Sequence, residues 1–519
     1  MGSNTVEQKS NIRNGTKRLI FTLIAIVIQV AWIFSLYTWL NAKFEWIAVI
    51  SSVVSVLLVL GIYCQQKTSS IKTPWIILIL VFPLLGIFLY LLTGLSGSTH
   101  RMRTRFEQID KQLFPKLHQD PAVMAALRAK DPRTANLAGY LTKFSQTPLF
   151  QNTDVVFYPE APQGLEAQKA ELRKAEKFIF MEYHAIEDAE AWAGIHEILV
   201  EKAKAGVEVR VFYDDMGSIG FINTDFVNRM EKDGIRCRVF NPMFPLLQVF
   251  LNNRDHRKIT VVDGKVGFTG GYNLADEYFD LTHPFGQWKD TGVRLEGDAV
   301  KSLTAIFLEM WNASNENDKD DDNFDKYLIP YDYRAKEQGF VQPYCDSPLD
   351  GEHIGENVYM SLVEGASDYC WFSTPYLIIT DEMEHAMGLA AKRGVDVRII
   401  TPGIPDKKLI YGVTRSYYGG LVKQGVRIFE FTPGFCHHKQ CVADDRVAVC
   451  GTINLDYRSL YHHFENGCLM ADCQAVLDMK ADFENTFPKC REVTEDYRTG
   501  RNSILNLKDR ILRLFAGLM

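Results

Sequence analysis

Three stretches near the start of the chain carry no charge. Residues 19–40 (LIFTLIAIVIQVAWIFSLYTWL) would extend about 33 Å as a helix, enough to cross a bilayer core. Residues 46–66 form a second such run and residues 75–95 a third, with Trp39, Trp46 and Trp75 near the ends, where interfacial rings belong. The first run is too long for a cleavable signal and no small-residue cleavage site follows it, so it predicts a retained anchor. Pro83 and Gly86 interrupt the third, which predicts a kinked helix or a re-entrant hairpin. Arg13, Lys17 and Arg18 precede these runs and Arg101, Arg103 and Arg105 follow them. Three full crossings would put the two basic clusters on opposite sides, a conflict with the positive-inside rule that vanishes if one run only dips into the membrane.

Beyond residue 100 strand-like and helical patterns alternate, and the same order of events occurs twice, the mark of an internal duplication. The first half has an apolar strand at Phe178 to Tyr183, a helical stretch at 188–204 and an alternating strand at 207–213. The second repeats this with 370–379, 382–392 and 393–403. The expected architecture is α/β: two duplicated α/β sandwich domains related by a pseudo-twofold axis, preceded by N-terminal membrane helices. The boundaries read from the chain are a membrane region at 1–100 with two or three apolar helices, a connecting helical segment at 101–139, a first domain at 140–314, a linker at 315–339 and a second domain at 340–519. NENDKDDDNFDK (315–326) reads as a solvated linker, since it lacks the glycine and terminal glutamate of a calcium loop. Residues 504–518 have apolar positions at helical spacing and should form an amphipathic helix that caps the second domain.

Composition narrows the function. The 519 residues are 47% hydrophobic and 23% charged, which suits large folded cores. The net charge of −7 excludes a surface built to track a polyanion. The ten cysteines lack the spacing of a zinc site or a disulfide framework and point to a reducing compartment.

The chemistry concentrates in two matching cassettes. His256, Lys258 and Asp263 are followed by Gly270-Gly271-Tyr272-Asn273; His437, Lys439 and Asp444 are followed by Gly451-Thr452-Ile453-Asn454. From His to Lys is two residues, from Lys to Asp five and from His to Asn seventeen in both copies. Residues i and i+2 of a strand face the same way, so each His and Lys can address one phosphate. Asp263-Gly264 is a tight-turn pair that returns the chain as a second strand, so Asp263 and Asp444 read as turn and scaffold residues rather than proton carriers. Asp290 in WKDT and Glu465 in HHFENG stand at comparable positions downstream and are candidates to orient the two imidazoles. His438, adjacent to His437 on a strand, should face away from the pocket. Arg254, Arg257 and Arg458 could bind lipid phosphate or pair with local carboxylates. Phe244, Leu246, Leu247, Phe250 and Leu251, just ahead of His256, fit core packing or a lipid-entry rim equally.

The paired HxKxxxxD and GxxN motifs resemble the phospholipase D superfamily. Within it, the apolar N-terminal spans together with NNRDHRKITVVDGKVGFTGGYNLADEY (252–278), WKDT (288–291), TPYL (374–377) and GTINLDYRS (451–459) resemble the bacterial cardiolipin synthases. The resemblance covers nearly the whole chain. It implies a metal-free and cofactor-free phosphatidyl transfer with a catalytic set of His256, Lys258, Asp263, His437, Lys439 and Asp444. One imidazole would attack phosphorus and the other handle protons, His256 being the expected nucleophile and His437 the acid and base; the residues alone do not rank them. Lys258, Lys439, Asn273 and Asn454 would hold the phosphate oxygens. The implied partners are phosphatidylglycerol and membrane lipid, with no nucleic acid and no obligatory protein partner, in a multi-pass bacterial membrane protein whose site faces the cytoplasm. A lipid phosphodiesterase, a transferase with another alcohol acceptor and an inactive membrane scaffold remain the alternatives.

Overall fold

The computed structural model describes residues 45–65, 68–94, 97–242, 253–314, 323–499, 507–514 and 516–518, with scattered positions between 20 and 43. Most of the first apolar run, the apolar positions from 244 to 251 and residues 315–322 of the expected linker lie outside the described residues.

The second apolar run forms helix α1 (Glu45–Tyr63). The third is not one helix: α2 (Ser69–Val81) ends at Phe82 and α3 (Pro83–Gly94) runs back along it. Proline fits the first position of a helix, where its missing N–H costs nothing, and Pro83 opens α3 after the chain leaves α2 at Phe82; Pro74 stands inside α2 without ending it. The reversal brings Trp75 and Tyr90 edge to face, 5.5 Å between ring centroids. It also presses Gly86 onto the α2 backbone, where a Cβ would stand 2.5 Å from the Ile79 Cα. Residues 75–95 are thus a helical hairpin, the shape expected of a re-entrant segment, and not one continuous helix. Among the described residues no helix is long and apolar enough to cross a membrane. At 1.5 Å per residue α1 reaches about 28 Å, just under a ~30 Å hydrocarbon core. Val49, Leu57, Leu60, Leu80 and Phe88 nevertheless stand exposed on this bundle.

The duplication is explicit in the sheets. The first half contributes β1 (Thr153–Tyr158), β2 (Phe178–Tyr183), β3 (Glu208–Asp214), β4 (Arg236–Phe240), β5 (Arg254–Asp255), β6 (Lys258–Val262), β7 (Val266–Gly270), β8 (Gln287–Lys289) and β9 (Gly292–Gly297). Its main sheet has the order β1-β9-β7-β6-β2-β3-β4. The second half contributes β10 (Phe340–Asp346), β11 (Tyr369–Ser373), β12 (Leu377–Ile378), β13 (Asp396–Pro402), β14 (Arg427–Phe431), β15 (Gly434–Cys436), β16 (Lys439–Ala443), β17 (Val447–Gly451), β18 (Leu455–Asp456), β19 (His463–Ala471) and β20 (Cys490–Glu492). Its order, β10-β19-β17-β16-β11-β13-β14, repeats the first strand for strand and then adds β20.

The two sheets face a shared core. Between them lie α4 (Val300–Ala313), in which every residue but Lys301 is buried, and α5 (Gln474–Thr486). Large apolar residues lie on every side of VKSLTAIFLEMWNA, and its buried Glu309 is paired with Arg257, so the helix sits between layers. Phe178, Phe180 and Phe212 from one sheet and Trp371, Phe429 and Phe431 from the other belong to the same apolar cluster. Residues 101–139 are part of this body. The helix Gly97–Leu113 sends Phe106, Ile109 and Leu113 into the shared core, and Leu127, Leu137 and Leu141 pack on the outer side of the second sheet. Asp120 and Asp131 cap the two helices that carry them, each followed by a proline at the first helical position. The C-terminal helix α6 (Leu507–Leu514) packs Leu512 against the second half, and Ala516 beyond it is buried there as well.

Candidate active site

Each cassette reaches the interface in the same way. The chain enters β6 or β16 with the Lys as the first strand residue and the His two positions earlier. The turn after each strand needs a left-handed backbone: Asp263 has φ 54° and Gly264 φ 66°, Asp444 φ 53° and Asp445 φ 60°. The Asp263 carboxylate accepts the backbone N–H groups of Glu176, Lys177 and Phe178 at 2.7–2.9 Å. Asp444 does the same for Ser367, Asp368 and Tyr369 at 2.8–2.9 Å. Both aspartates thus pin the start of a neighbouring strand, at the end of β6 or β16 away from the histidine, and do not touch the reacting groups.

The orienting carboxylates cross between halves. His256 Nδ1 lies 2.9 Å from both oxygens of Glu465, which belongs to the second half. His437 Nδ1 lies 2.6 Å from Asp290 Oδ2, which belongs to the first. The backbone makes the same exchange. The His256 N–H donates to the Phe464 carbonyl at 2.9 Å and the His437 N–H to the Lys289 carbonyl at 2.8 Å, while β5 pairs with β19 and β15 with β8. Gly271 makes room for Asp290, since a Cβ there would stand 2.1 Å from Oδ1. At the matching position Thr452 donates its hydroxyl to Glu465 Oε2.

Burial and the charge of Lys439 push His437 down to about 3, although Asp290 pulls the other way. Burial, Lys258 and Lys439 hold His256 well below the ordinary imidazole value, and His437 is among the charges acting on it. Burial likewise lowers Lys258 to about 7 and Lys439 to about 8, against the pull of Glu465 and Asp290. Two lysines and two neutral imidazoles crowded together away from water, with two carboxylates behind them, make a site short of negative charge in front. Asn273 is tied to the loop: its Oδ1 accepts the Ala185 N–H at 3.1 Å and its Nδ2 donates to the Tyr278 hydroxyl at 2.8 Å. The buried Oδ1 of Asn454 has no partner. A nitrogen of His256, one of His463 and an oxygen of Glu465 lie within 4.8 Å of one another, the one cluster among the described residues with a spacing that could hold a metal ion.

His438 faces away, as strand alternation requires, with Nε2 3.3 Å from the Ser373 hydroxyl. Arg257, at the matching place, is fully buried and bonded to Glu182 at 2.9 Å and Glu309 at 3.2 Å. Sequence reasoning missed the walls around the imidazoles. The His184 and His463 rings stand 5.0 and 5.4 Å from His256. Tyr278, Trp288 and Phe435 stand 5.1, 5.2 and 5.7 Å from His437. The signal for His184 was its position just after β2, at the carboxyl end of a parallel pair, where open α/β sheets place their ligands.

A family profile described as the phospholipase D-like domain of cardiolipin synthase matches residues 169–311 and 359–487, and one described as a phospholipase D-nuclease N-terminal segment matches 46–94. An uncharacterized protein of Streptococcus mutans is 44% identical over 88% of this chain and 98% of its own length. Cardiolipin synthase 2 of Bacillus cereus is 31% identical over 88% of both chains. Cardiolipin synthase of Halalkalibacterium halodurans is 29% identical over 93% of this chain and 95% of its own. The crystal structure of a phosphatidylserine synthase from Haemophilus influenzae superposes with a TM-score of 0.56 at 15% identity, over 74% of this chain and 98% of that one, a likeness of fold.

Proposed function

The chain belongs to the phospholipase D-like cardiolipin synthase family, and on that premise we propose that it moves a phosphatidyl group from one phosphatidylglycerol to another, releasing glycerol and forming cardiolipin. The observation that carries this reading is the pair of buried imidazoles, close enough for the charge of His437 to act on His256, each held through Nδ1 by a carboxylate of the opposite half. A neutral imidazole oriented in this way presents its other nitrogen as a nucleophile or base. In the first step His256 Nε2 attacks phosphorus while His437 gives a proton to the leaving glycerol oxygen. In the second, His437 takes the proton of the incoming hydroxyl as that oxygen displaces the histidine. The negative charge of the seated phosphodiester offsets that of Lys439 and raises the proton affinity of His437 for this role. Lys258 and Lys439 hold the equatorial oxygens, where charge gathers in the five-coordinate state.

We also propose a bacterial membrane location with the site on the cytoplasmic side. In this topology the runs 19–40 and 46–66 cross and the α2–α3 hairpin dips and returns, which puts both basic clusters on one side. The ten free cysteines suit a reducing compartment.

The test is to incubate the purified full-length protein with phosphatidylglycerol vesicles and separate the lipids. Cardiolipin and free glycerol are expected in equal amounts, and His256→Ala or His437→Ala should each cut turnover by about 10³-fold or more. Phosphatidic acid as the main product would identify a hydrolase. A trapped phospho-histidine at 437 would exchange the two roles.

A further inference from the structure

The two imidazoles are related by the pseudo-twofold axis, but their surroundings are not. Arg254 stands two residues before His256, where Phe435 stands two before His437. His463 stands two residues before Glu465, where Trp288 stands two before Asp290. Arg458 stands twenty-one residues after His437, where Glu277 stands twenty-one after His256. One side of the cavity is an aromatic wall and the other a cationic one, and each substitution replaces a ring or an acid with a cationic or hydrogen-bonding group.

The cationic side is built and incomplete. Arg254 is 3% exposed, and its Nη1 donates to the Asn241 carbonyl at 2.8 Å, yet its buried Nε has no partner. Its nearest carboxylate, Asp214, is 3.7 Å away and already accepts the backbone N–H groups of Met216, Gly217 and Asp255. Arg458 donates through Nε to His463 Nε2 at 3.2 Å, which turns the buried His463 Nδ1 toward Glu465, whose Oε1 lies 3.5 Å away. Asp456 and, more weakly, Asp214 act on Arg458, while Arg254 is close enough to oppose its charge. A buried Arg254 donor without a partner, with the like charge of Arg458 close enough to act on it, calls for an anion to join the two.

We propose that Arg254, Arg458 and His463, with His184 beside them, form a second phosphate subsite that holds the phosphodiester of the acceptor lipid while its terminal hydroxyl reaches the phosphorus between His256 and His437. The inference rests on the transfer reaction above and deepens it. A phosphatidylglycerol acceptor carries its own phosphate one three-carbon bridge from the attacking hydroxyl, so a subsite beside the first reads the acceptor as an anionic glycerophosphodiester. Water, free glycerol and simple alcohols lack that handle and gain nothing from it. The subsite thereby favours lipid over solvent in the second step by binding the right acceptor as well as by excluding the wrong one.

The experiment compares two acceptors on one enzyme. Full-length protein in phosphatidylglycerol vesicles is given labelled glycerol, and cardiolipin formation is measured together with exchange of label into phosphatidylglycerol, which uses the same donor site but a neutral acceptor. In Arg254→Gln and Arg458→Gln the ratio of cardiolipin to exchange should fall at least tenfold, and Arg254→Lys should restore part of it. An unchanged ratio, whether both rates fall together or neither does, overturns the subsite. A wild type that makes neither product overturns the transfer reaction instead. A second measurement needs no variant: the wild type should accept sn-glycerol 1-phosphate with a KM at least tenfold below that for glycerol, and equal values would overturn the proposal.

Discussion

Asp290 can reach His437 only because position 271 has no side chain, whereas Glu465, one methylene longer, reaches His256 past a threonine that donates to it. The two halves have therefore settled on matched pairs, Gly with Asp and Thr with Glu. Gly271→Thr should push Asp290 off the His437 ring and cut kcat by at least about tenfold with little change in KM for phosphatidylglycerol, which steady-state kinetics will read. The lysines make a different prediction. Burial brings Lys258 to about 7 and Lys439 to about 8, so at pH 8.5 both are largely neutral in the empty site. An arriving phosphodiester favours their charged forms, and binding must draw protons from solution. Calorimetry with dimethyl phosphate in two buffers of different ionisation enthalpy should report uptake on the order of one proton per anion at pH 8.5, and markedly less at pH 6, where both lysines already carry their protons. The cassettes themselves were legible in the sequence, because a spacing of two on a strand and an aspartate at a tight turn are local facts. Which carboxylate serves which histidine was not, because the pairing runs across an interface more than a hundred residues wide in sequence.

At the scale of elements the clearest departure from the sequence pattern lies in the third apolar run. Hydropathy gives its length but not its direction, and a proline after thirteen helical residues reverses it. Two segments of about 18–20 Å each are too short to cross a bilayer one by one, which suits the proposed topology in which the pair enters and leaves by one side. Cysteines placed at Trp75 and Tyr90 in a chain otherwise free of cysteine should be joined within one chain by a short bifunctional thiol reagent, since the two side chains meet. In a straight helix these positions would stand roughly 22 Å apart, and no cross-link would form. The strands and helices of the soluble halves were legible for the opposite reason: their patterns are short, repeated and bounded by turn residues, and the strand orders that follow are the same in both copies.

For the whole molecule the layers matter more than the domain boundaries. The central helices α4 and α5 share one apolar cluster with both sheets, so the halves are held by a common core rather than by a linker. A protease cut within 315–322 should leave the two pieces together through size-exclusion chromatography in detergent, with activity retained. The first half made alone should bind neither piece of its missing machinery and turn over no lipid, because it has His256 and Lys258 but not Glu465. The exchange of carboxylates has a last consequence for biosynthesis. On the proposed location a nascent chain meets the bilayer with its first apolar run long before its reactive centre exists, and while residues 259–464 are added it holds a histidine and a lysine beside a surface made of their proposed substrate. Until residue 465 leaves the ribosome and the second lobe closes on the first, that histidine has no partner to aim it. The order in which the protein is synthesised thereby keeps a half-made active centre idle.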